Sequence, residues 1–491
     1  MTEKKPVVNF VNAICGSGKS HRLKEHIYDF NREAVPEKFL IVVPTHALAE
    51  QFKQELNRLR IPNHHICVEG ATLNLKSTLA NSFQTNVVIT THECFTNYCH
   101  LATFNPEMRS LLAEHNVMID EIPDGWFGAE AKIRHADRTA ENFPFLAWLE
   151  ERNGLLYLRD EHYDKLYQYY HEKHANSDSL KKVLYVALDG GGVMHTECDS
   201  SYSFFAYTYN PILKAATWAK SFTVLGAGVD RSGFVWMAEN VAQIAVQEAG
   251  EHLQPEPERR KHKNVPIKIV VVLSEDVKRA GQSELANVFN SHLKEINQIV
   301  GKDFIFATNN DKPICDFQTI GLAELGDRMG GEAVSMSSYG MNSYQDVHSA
   351  VFLGCANLGD KDRKRWADYC KRIGWDFETV MKKKRQAMYL ERCYQFLSRT
   401  SIRNTDTDHP LVFVVPDMAA AEYLKTHYFP GSTIECLGIK KAGKQEETRL
   451  KVLEYKAQGL TQKKAAEVMA VSVRTVATYW NGNPPEKPVH A

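Results

Sequence analysis

The sequence predicts an α/β protein with two tandem domains on parallel sheets, a helical insertion in the first domain and a small all-α domain at the C-terminal end. Short apolar runs alternate with helical stretches both before and after a charged, proline-containing segment at residues 252–264. This alternation is typical of buried strands joined by helices in a parallel sheet. Roughly a hundred residues interrupt the first set of strands, which is too many for one crossover connection. The basic C-terminal segment follows neither pattern.

The first domain spans residues 1–251, and its predicted strands are Val7–Val11, Phe39–Val43, Val87–Thr90, Val117–Ile119 and Phe222–Leu225. The insertion, about residues 125–215, is rich in aromatic residues and helical in pattern over Phe143–Glu151 and Tyr157–His174. A glycine-rich turn at residues 189–192 joins two strand-like stretches within it.

The segment at residues 252–264 reads HLQPEPERRKHKN, which has two prolines and no apolar periodicity, so we expect an exposed linker. The second domain, residues 265–437, follows it. Its predicted strands are Ile267–Leu273, Phe304–Ala307, Ala350–Leu353 and Leu411–Val415.

Composition and charge exclude several classes of protein. The chain has 491 residues, of which 43% are hydrophobic and 24% charged, as in an ordinary globular protein. Lys and Arg total 59 against 60 Asp and Glu, so a uniformly basic coat for nucleic acid is excluded while a local basic face is not. The absence of a signal-peptide core and of a long apolar run predicts a cytoplasmic protein without membrane contact.

The ten cysteines include no CxxC pair, which predicts reduced thiols rather than a disulfide framework. Cys67, Cys94 and Cys99 are too few to hold a four-cysteine iron–sulfur cluster.

The stretch Ala13–Ser20, AICGSGKS, lies between a predicted strand and the predicted helix His21–Asn31. Its glycines let successive backbone N–H groups face a phosphate, while the lysine reaches the β- and γ-phosphates and the last serine ligates Mg²⁺. The residues predicted to bind the nucleotide here are Gly16, Ser17, Gly18, Lys19 and Ser20. The pattern predicts a magnesium-dependent ATPase or GTPase.

Such a loop needs an acid for the metal and a group that orients the attacking water. Asp120 and Glu121 follow the apolar run Val117–Ile119. We expect Asp120 to hold Mg²⁺ through water and Glu121 to polarise the attacking water.

Further motifs resemble those of the superfamily 2 helicases, over most of residues 7–415. Ile41–Gln51 resembles motif Ia, and Val88–His92 resembles the next strand-end motif. The resemblance implies contacts of Pro44, Thr45 and Thr91 with a nucleic-acid backbone, and it places Asp120 and Glu121 at motif II. Gly226-Ala227-Gly228 stands where the family has Ser-Ala-Thr, and neither hydroxyl is present.

The second half carries two more such stretches. Ser338–Asp346 resembles motif V, in which a loop bearing Gly340 meets the nucleotide and the strand. Gln395–Arg403 resembles motif VI, although Ser398 replaces the family's glycine and Arg403 lies four residues after Arg399 rather than three. The resemblance implies a nucleotide contact by Gln395 and an arginine finger from Arg399 or Arg403, and it leaves that choice open. A solvated helix face is the alternative for both arginines.

The C-terminal segment, residues 442–483, shows three short helical patterns separated by Gly459-Leu460-Thr461 and Ala470-Val471-Ser472. It resembles the helix-turn-helix of recombinases and transcription regulators. By that resemblance, the residues facing duplex DNA are Ser472, Arg474, Thr475, Thr478 and Tyr479. A helical module that packs on the ATPase is the alternative.

Together these patterns predict an ATP- and Mg²⁺-dependent DNA helicase or translocase with two RecA-like lobes. Single-stranded DNA is expected on the lobes and duplex DNA on the C-terminal domain. The expected process is replication or recombination of a phage or mobile element, with other proteins of that process as further partners.

Two alternatives stay open. One is a DNA-binding regulator that uses ATP hydrolysis as a switch, which the altered residues 226–228 favour. The other is an RNA helicase, against which the C-terminal domain argues.

Overall fold

The computed structural model describes residues 5–32, 37–66, 71–81, 86–134, 143–171, 178–198, 201–273, 293–307, 331–336, 343–354, 358–404, 408–439, 444–469 and 471–480.

The strands of these residues are β1 (Val7–Asn12), β2 (Lys38–Val43), β3 (Asn63–His65), β4 (Val87–Thr91), β5 (His115–Asp120), β6 (Trp126–Arg134), β7 (Leu149–Arg152), β8 (Leu155–Leu158), β9 (Val193–Cys198), β10 (Ser201–Tyr209), β11 (Ser221–Gly226), β12 (Ala245–Glu248), β13 (Ile267–Leu273), β14 (Phe304–Ala307), β15 (Gly331–Ala333), β16 (Ser349–Phe352), β17 (Leu411–Asp417) and β18 (Thr433–Ile439).

The α-helices are α1 (Lys19–Phe30), α2 (His46–Arg58), α3 (Ala71–Ala80), α4 (His92–Ala102), α5 (Pro106–Leu112), α6 (Tyr163–His171), α7 (Asp178–Leu188), α8 (Ala215–Trp218), α9 (Gly233–Asn240), α10 (Leu293–Val300), α11 (Asp360–Ile373), α12 (Phe377–Arg385), α13 (Glu391–Leu397), α14 (Met418–His427), α15 (Lys444–Ala457), α16 (Gln462–Val468) and α17 (Val473–Trp480).

A seven-stranded parallel sheet forms the centre of the first domain, in the order β12-β1-β11-β5-β2-β4-β3. Helices cover both faces, so β2 and β4 are buried almost throughout and read as continuous apolar runs. All strands end at the same edge. The residues after β1 therefore lie near the end of β5, with β11 between the two strands.

A second parallel sheet, of six strands, has the order β15-β14-β16-β17-β13-β18. Two α/β units with parallel sheets thus follow one another along the chain, as the alternation of apolar runs predicts. The edge strand β18 was not predicted. It extends to Ile439, two residues beyond the predicted domain end at 437.

The prediction of a helical insertion was right only in part: α6 lies within the predicted helical stretch Tyr157–His174, but the insertion is built on a sheet. Residues 126–209 contain a five-stranded antiparallel sheet, β6-β10-β9-β8-β7, together with α6 and α7. In β6 buried and exposed side chains alternate, which is the period of a strand with one solvated face. Helical order over the predicted Phe143–Glu151 is limited to a 3₁₀ helix, Pro144–Trp148. The turn at residues 189–192 joins α7 to β9 rather than two strands.

Helices α11 and α12 belong to the second domain in sequence but pack in the core of the first. Trp366, Cys370, Val380 and Met381 share one buried cluster with residues of the first sheet and its helices. A π-helical segment, Gln386–Leu390, then leads directly into α13, which packs in the core of the second domain. One continuous helical stretch therefore crosses from one domain to the other.

Three helices lie in the C-terminal segment where the sequence predicts them. A small core of Val452, Ala465, Ala466 and Val476 holds α15, α16 and α17 together. The Thr461 hydroxyl caps α16 by accepting a hydrogen bond from the Lys464 N–H at 3.4 Å. In the described part of the chain, no helix has the length and apolar character needed to cross a membrane.

Candidate active site

The loop between β1 and α1 depends on two glycines in the left-handed region. Gly16 has φ 81° and Gly18 has φ 87°, a conformation that costs other residues roughly 1–2 kcal/mol. Gly18 is the N-cap of α1, so the loop's N–H groups and the positive end of the helix dipole face the same space. The loop has the conformation that anion binding requires.

Lys19 is 6% exposed and folds back along this loop. Its Nζ atom donates hydrogen bonds to the carbonyl oxygens of Ala13 and Ile14, at 2.9 and 2.8 Å. The buried ammonium is thereby held at the loop, with a third donor left for an anion.

Ser20 and Asp120 lie together at the start of α1 and the end of β5. The Ser20 Oγ atom is 3.2 Å from each carboxylate oxygen of Asp120. Burial and the Glu121 carboxylate together raise the pKa of Asp120 to about 7, against the opposing effects of the Lys19 ammonium and the Ser20 hydroxyl. A divalent cation would compensate for both unfavourable effects, and a hydroxyl and a carboxylate are oxygen ligands that Mg²⁺ accepts.

The described residues contain no group of three or more His, Cys, Asp or Glu side chains arranged for a metal. A cation at Ser20 and Asp120 would take its remaining ligands from phosphates and water, as Mg²⁺ commonly does.

Glu121 has φ 66°, an unfavourable conformation for a residue with a Cβ atom and one found preferentially at functional sites. Its Oε2 atom accepts a hydrogen bond from Nε2 of Gln395, on α13 of the second domain, at 3.4 Å. The predicted water-polarising carboxylate and the predicted nucleotide contact therefore meet across the two domains.

His92, at the start of α4, holds the backbone of Asp120. Burial lowers the pKa of its imidazole to about 4, so the ring is neutral, and its Nε2 atom lies 3.0 Å from the Asp120 carbonyl oxygen. His92 was part of a motif in the sequence, but this role was not predicted.

The two predicted arginine fingers differ in position. A Cβ atom added at Gly16 would lie 3.3 Å from the Cα atom of Arg403, so the backbone at Arg403 packs directly on the loop. Burial raises the pKa of the Cys15 thiol, and the charges of Lys19 and Arg403 both oppose that rise. Arg399 is 7% exposed, and its charge acts on Tyr344 instead. Of the two, the structure brings Arg403 to the phosphate loop.

A tyrosine that the sequence did not indicate also joins the domains at this point. Tyr394 is buried, and its hydroxyl accepts a hydrogen bond from the Cys15 N–H at 2.9 Å. Nε2 of His262 lies 2.9 Å from the same oxygen, and burial lowers the pKa of His262 to about 4. Cys15 and Tyr394 are 379 residues apart in sequence, and no local pattern relates them.

The glycine-alanine-glycine stretch at residues 226–228 follows β11 and touches both domains. The Asn12 carboxamide oxygen accepts a hydrogen bond from the Gly228 N–H at 2.7 Å, which fixes the stretch to β1. The Ala227 side chain is part of the second domain's hydrophobic cluster. This stretch therefore meets the second domain by apolar packing rather than through hydroxyl groups.

The predicted backbone contacts Thr45 and Thr91 are helix caps at the same edge of the first sheet. Their hydroxyls accept hydrogen bonds from the N–H groups of Leu48 and Cys94, each at 3.3 Å. Thr91 is buried, and Pro44 is half-buried beside Thr45. Gly340 lies outside the described residues.

In the C-terminal segment, Ser472, Arg474 and Thr478 are exposed, while Thr475 and Tyr479 are half-buried. The Ser472 hydroxyl accepts a hydrogen bond from the Thr475 N–H at 3.1 Å, at the start of α17.

Residues 2–121 match a family model described as the type III restriction enzyme res subunit. The matched stretch contains the phosphate loop and ends at Glu121, so the predicted resemblance to helicases is confirmed for this part of the chain. No curated protein matches the chain.

Several solved structures are similar to the chain. S. tokodaii Xpd4 is 13% identical, with 89% of this chain and 96% of that one covered and a TM-score of 0.46. Mss116p bound to ssRNA and AMP-PNP is 11% identical, with 98% and 82% covered and a TM-score of 0.38. The DUF1998 helicase MrfA bound to DNA and AMPPNP is 11% identical, with 89% and 50% covered and a TM-score of 0.34.

Proposed function

We propose that the protein is an ATP-dependent DNA helicase or translocase that hydrolyses Mg-ATP between two RecA-like lobes. One observation carries the proposal: the backbone at Arg403 of the second domain packs on Gly16 of the phosphate loop. An arginine of one domain beside the phosphate loop of the other is the arrangement that makes hydrolysis depend on how the domains meet.

Each residue at this point has a separate task in hydrolysis. The N–H groups of Gly16–Ser20 hold the phosphates, and Lys19 turns one donor to the β- and γ-phosphate oxygens. Ser20 and Asp120 would hold Mg²⁺, which would neutralise charge on the phosphates. Glu121 orients the attacking water, with Gln395 fixing its carboxylate, and Arg403 neutralises the charge that develops on the transferred phosphoryl group.

Three contacts of the second domain with the first respond to this reaction. They join Gln395 to Glu121, Tyr394 to the Cys15 N–H and the second domain's core to Ala227. Loss of the γ-phosphate removes an interaction that both domains share, so their spacing changes with each turnover.

The single strand lies across the edge of the first sheet, near Pro44, Thr45 and Thr91. The N-terminal ends of α2 and α4 lie side by side there, because β2 and β4 are neighbours. Helix N-termini favour phosphate groups, and such contacts carry no sequence preference. If the second domain holds the same strand, changes in domain spacing become steps along it.

The C-terminal helices bind duplex DNA through exposed Ser472, Arg474 and Thr478 and half-buried Thr475 and Tyr479. Residues 440–491 contain ten Lys and Arg against five Asp and Glu, so this segment is locally basic in a chain with net charge -1. A motor joined to a duplex-binding domain suits replication or recombination of a phage or mobile element in the cytoplasm, alongside other proteins of that process.

ATP turnover with no nucleic acid, single-stranded DNA, duplex DNA or RNA tests this function. Comparing wild type with Lys19→Ala, and with Lys76→Ala as a surface-lysine control paired to Glu107, we expect DNA-stimulated turnover that only Lys19→Ala abolishes. Stimulation by RNA alone would overturn the DNA assignment, and full turnover by Lys19→Ala would remove the site.

Strand separation is a second readout, because it distinguishes a motor from a switch. A forked duplex with a fluorescent strand is expected to be unwound by wild type and not by Lys19→Ala. DNA-stimulated turnover without unwinding or movement would instead support the regulator with an ATP switch.

A further inference from the structure

The segment predicted as an exposed linker is fixed along helix α1. Leu253 is buried in the core of the first domain. Arg22, one turn after Lys19, donates to the Gln254 carbonyl oxygen at 3.3 Å and forms an ion pair with Glu256 at 2.7 Å. The His252 ring stacks on His26, with ring centroids 4.8 Å apart. Although most of its later side chains are exposed, this segment has a defined path past the nucleotide loop.

The path ends over the loop itself. A short 3₁₀ helix, Pro257–Arg259, places the Arg259 Nη1 atom 3.8 Å from the position that a Cβ atom on Gly18 would occupy. Three residues later, His262 reaches the second domain at Tyr394. The segment therefore passes the loop between its contacts with the two domains, and it presents a guanidinium at Gly18.

Two nearby arginines form ion pairs with carboxylates, whereas Arg259 forms none in the described part of the chain. Arg22 pairs with Glu25 and Glu256, and Arg260 pairs with Glu251 at 2.7 Å and donates to the Pro255 carbonyl oxygen at 2.8 Å. Within the ranges that the structure describes, the Arg259 guanidinium has no carboxylate partner. Placing a cation without a carboxylate beside an anion-binding loop favours a contact with the anion.

We propose that Arg259 is a nucleotide-binding residue that donates hydrogen bonds to the α- or β-phosphate of the bound nucleotide. The inference rests on the proposed function, because it takes a nucleoside di- or triphosphate as the ligand. Arg403 meets the loop at Gly16, whereas Arg259 meets it at Gly18, two residues nearer to α1. A guanidinium can hold two phosphate oxygens at once, which makes this contact specific for the phosphate chain.

Equilibrium binding of ATP, ADP and adenosine to the full chain tests the proposal, with Arg259→Gln, Arg259→Lys, Arg260→Gln and Lys19→Ala beside wild type. Arg260→Gln is the matched control, since it removes the adjacent arginine, which is already paired with Glu251. We expect Arg259→Gln to weaken ATP and ADP binding about tenfold, which corresponds to about 1.4 kcal/mol. Adenosine binding stays unchanged, Arg259→Lys recovers part of the loss, and Arg260→Gln binds like wild type.

Other outcomes separate the two proposals. Wild-type affinity of Arg259→Gln for ADP, together with loss of binding in Lys19→Ala, would overturn the Arg259 contact alone. An equal loss for ADP and adenosine would also overturn it, because the effect would not depend on phosphate. Unchanged ADP binding by Lys19→Ala would instead overturn the proposed nucleotide site. Thermal midpoints of all variants show which losses come from unfolding.

Discussion

At Gly16 a single methyl group has two consequences. The alanine must adopt φ 81°, and its Cβ atom must lie 3.3 Å from the Cα atom of Arg403, which is closer than most Cβ contacts. The first consequence costs roughly 1–2 kcal/mol wherever it occurs. The second disturbs the contact between the domains, on which the proposed function depends.

We expect Gly16→Ala to reduce the rate of DNA-stimulated ATP turnover at least about tenfold. Gly374→Ala is the control, because Gly374 has φ 80° but open space around it. Both variants are expected to lose similar thermal stability, and only Gly16→Ala to lose turnover. Equal turnover in the two variants would show that the contact with Arg403 has no role in hydrolysis.

The residues whose proximity could be predicted are those that local sequence specifies. Lys19, Ser20, Asp120 and Glu121 each follow a strand end in a recognisable order, and parallel strands bring those ends together. Tyr394, His262 and Arg259 could not be predicted, because their positions depend on contacts between distant parts of the chain. The choice between Arg399 and Arg403 depended on how α13 ends. A 3₁₀ helix at Ser401–Arg403 follows it and places Arg403 at the loop.

At the scale of elements, the helical stretch from Phe377 to Leu397 connects the two domains. In α12, Val380 and Met381 lie in the first core, while Tyr394 and Phe396 of α13 lie in the second. The Lys384 ammonium lies over the rings of Trp126 and Trp366, at 4.6 and 4.3 Å, which adds to the hold on the first domain.

The π-helical segment Gln386–Leu390 sits between these two attachments. A π-turn contains one residue more than an α-turn, and such turns are common at functional sites. Residues 386–388 also line a cavity of about 150 Å³ between the domains, so the segment has space to rearrange. We infer that it is the point at which the stretch bends when the domains move.

Deleting Ala387 removes the additional residue and is expected to convert the π-turn to an α-turn. Because the π-turn holds its additional residue within a single turn, its removal would leave α13 at nearly the same rotation relative to α12. Tyr394 and Gln395 would stay near Cys15 and Glu121, but a regular α-helix would no longer bend at this point. ATP turnover is therefore expected to fall, while far-ultraviolet circular dichroism stays close to wild type. Met388→Leu, which keeps the residue count, is expected to retain turnover. Retained turnover in the deletion variant would refute this role for the segment.

The elements that the sequence did not predict share a physical cause. The strand β6 has period-two burial, but its partner β10 lies about seventy residues away, and its small and charged residues give a weak apolar signal. Likewise, nothing in the local pattern of α11 and α12 indicates that they pack on the other domain. Long apolar strands such as β2 and β13 were predicted because their burial on both faces is visible in composition alone.

At the scale of the whole molecule, buried histidines make stability depend on pH. Burial lowers the pKa of His100 to about 3, helped by the charge of Lys214, and that of His262 to about 4. The unfolded chain binds these protons below about pH 6.5, whereas the folded chain does not. The free energy of unfolding is therefore at its full value above that pH. It falls as the pH decreases towards the folded-state pKa values of about 3 and about 4.

Each such histidine contributes a slope of up to about 1.4 kcal/mol per pH unit between its two pKa values. We expect the thermal midpoint to fall between about pH 7.5 and about pH 5, and to fall less in His100→Phe, which keeps the ring contact with Tyr185. A midpoint that does not change over this range in wild type would contradict the burial of these imidazoles.

The proposed nucleotide site is also a property of the whole molecule, since the residues assigned to it come from both domains. Single-turnover cleavage of ATP, with single-stranded DNA saturating, tests it most directly in Arg403→Ala and Arg399→Ala. We predict a loss of roughly a thousandfold for Arg403→Ala, with ATP binding retained, and a much smaller loss for Arg399→Ala. Cleavage at the wild-type rate by Arg403→Ala, or a loss confined to Arg399→Ala, would contradict a site completed by the second domain through Arg403.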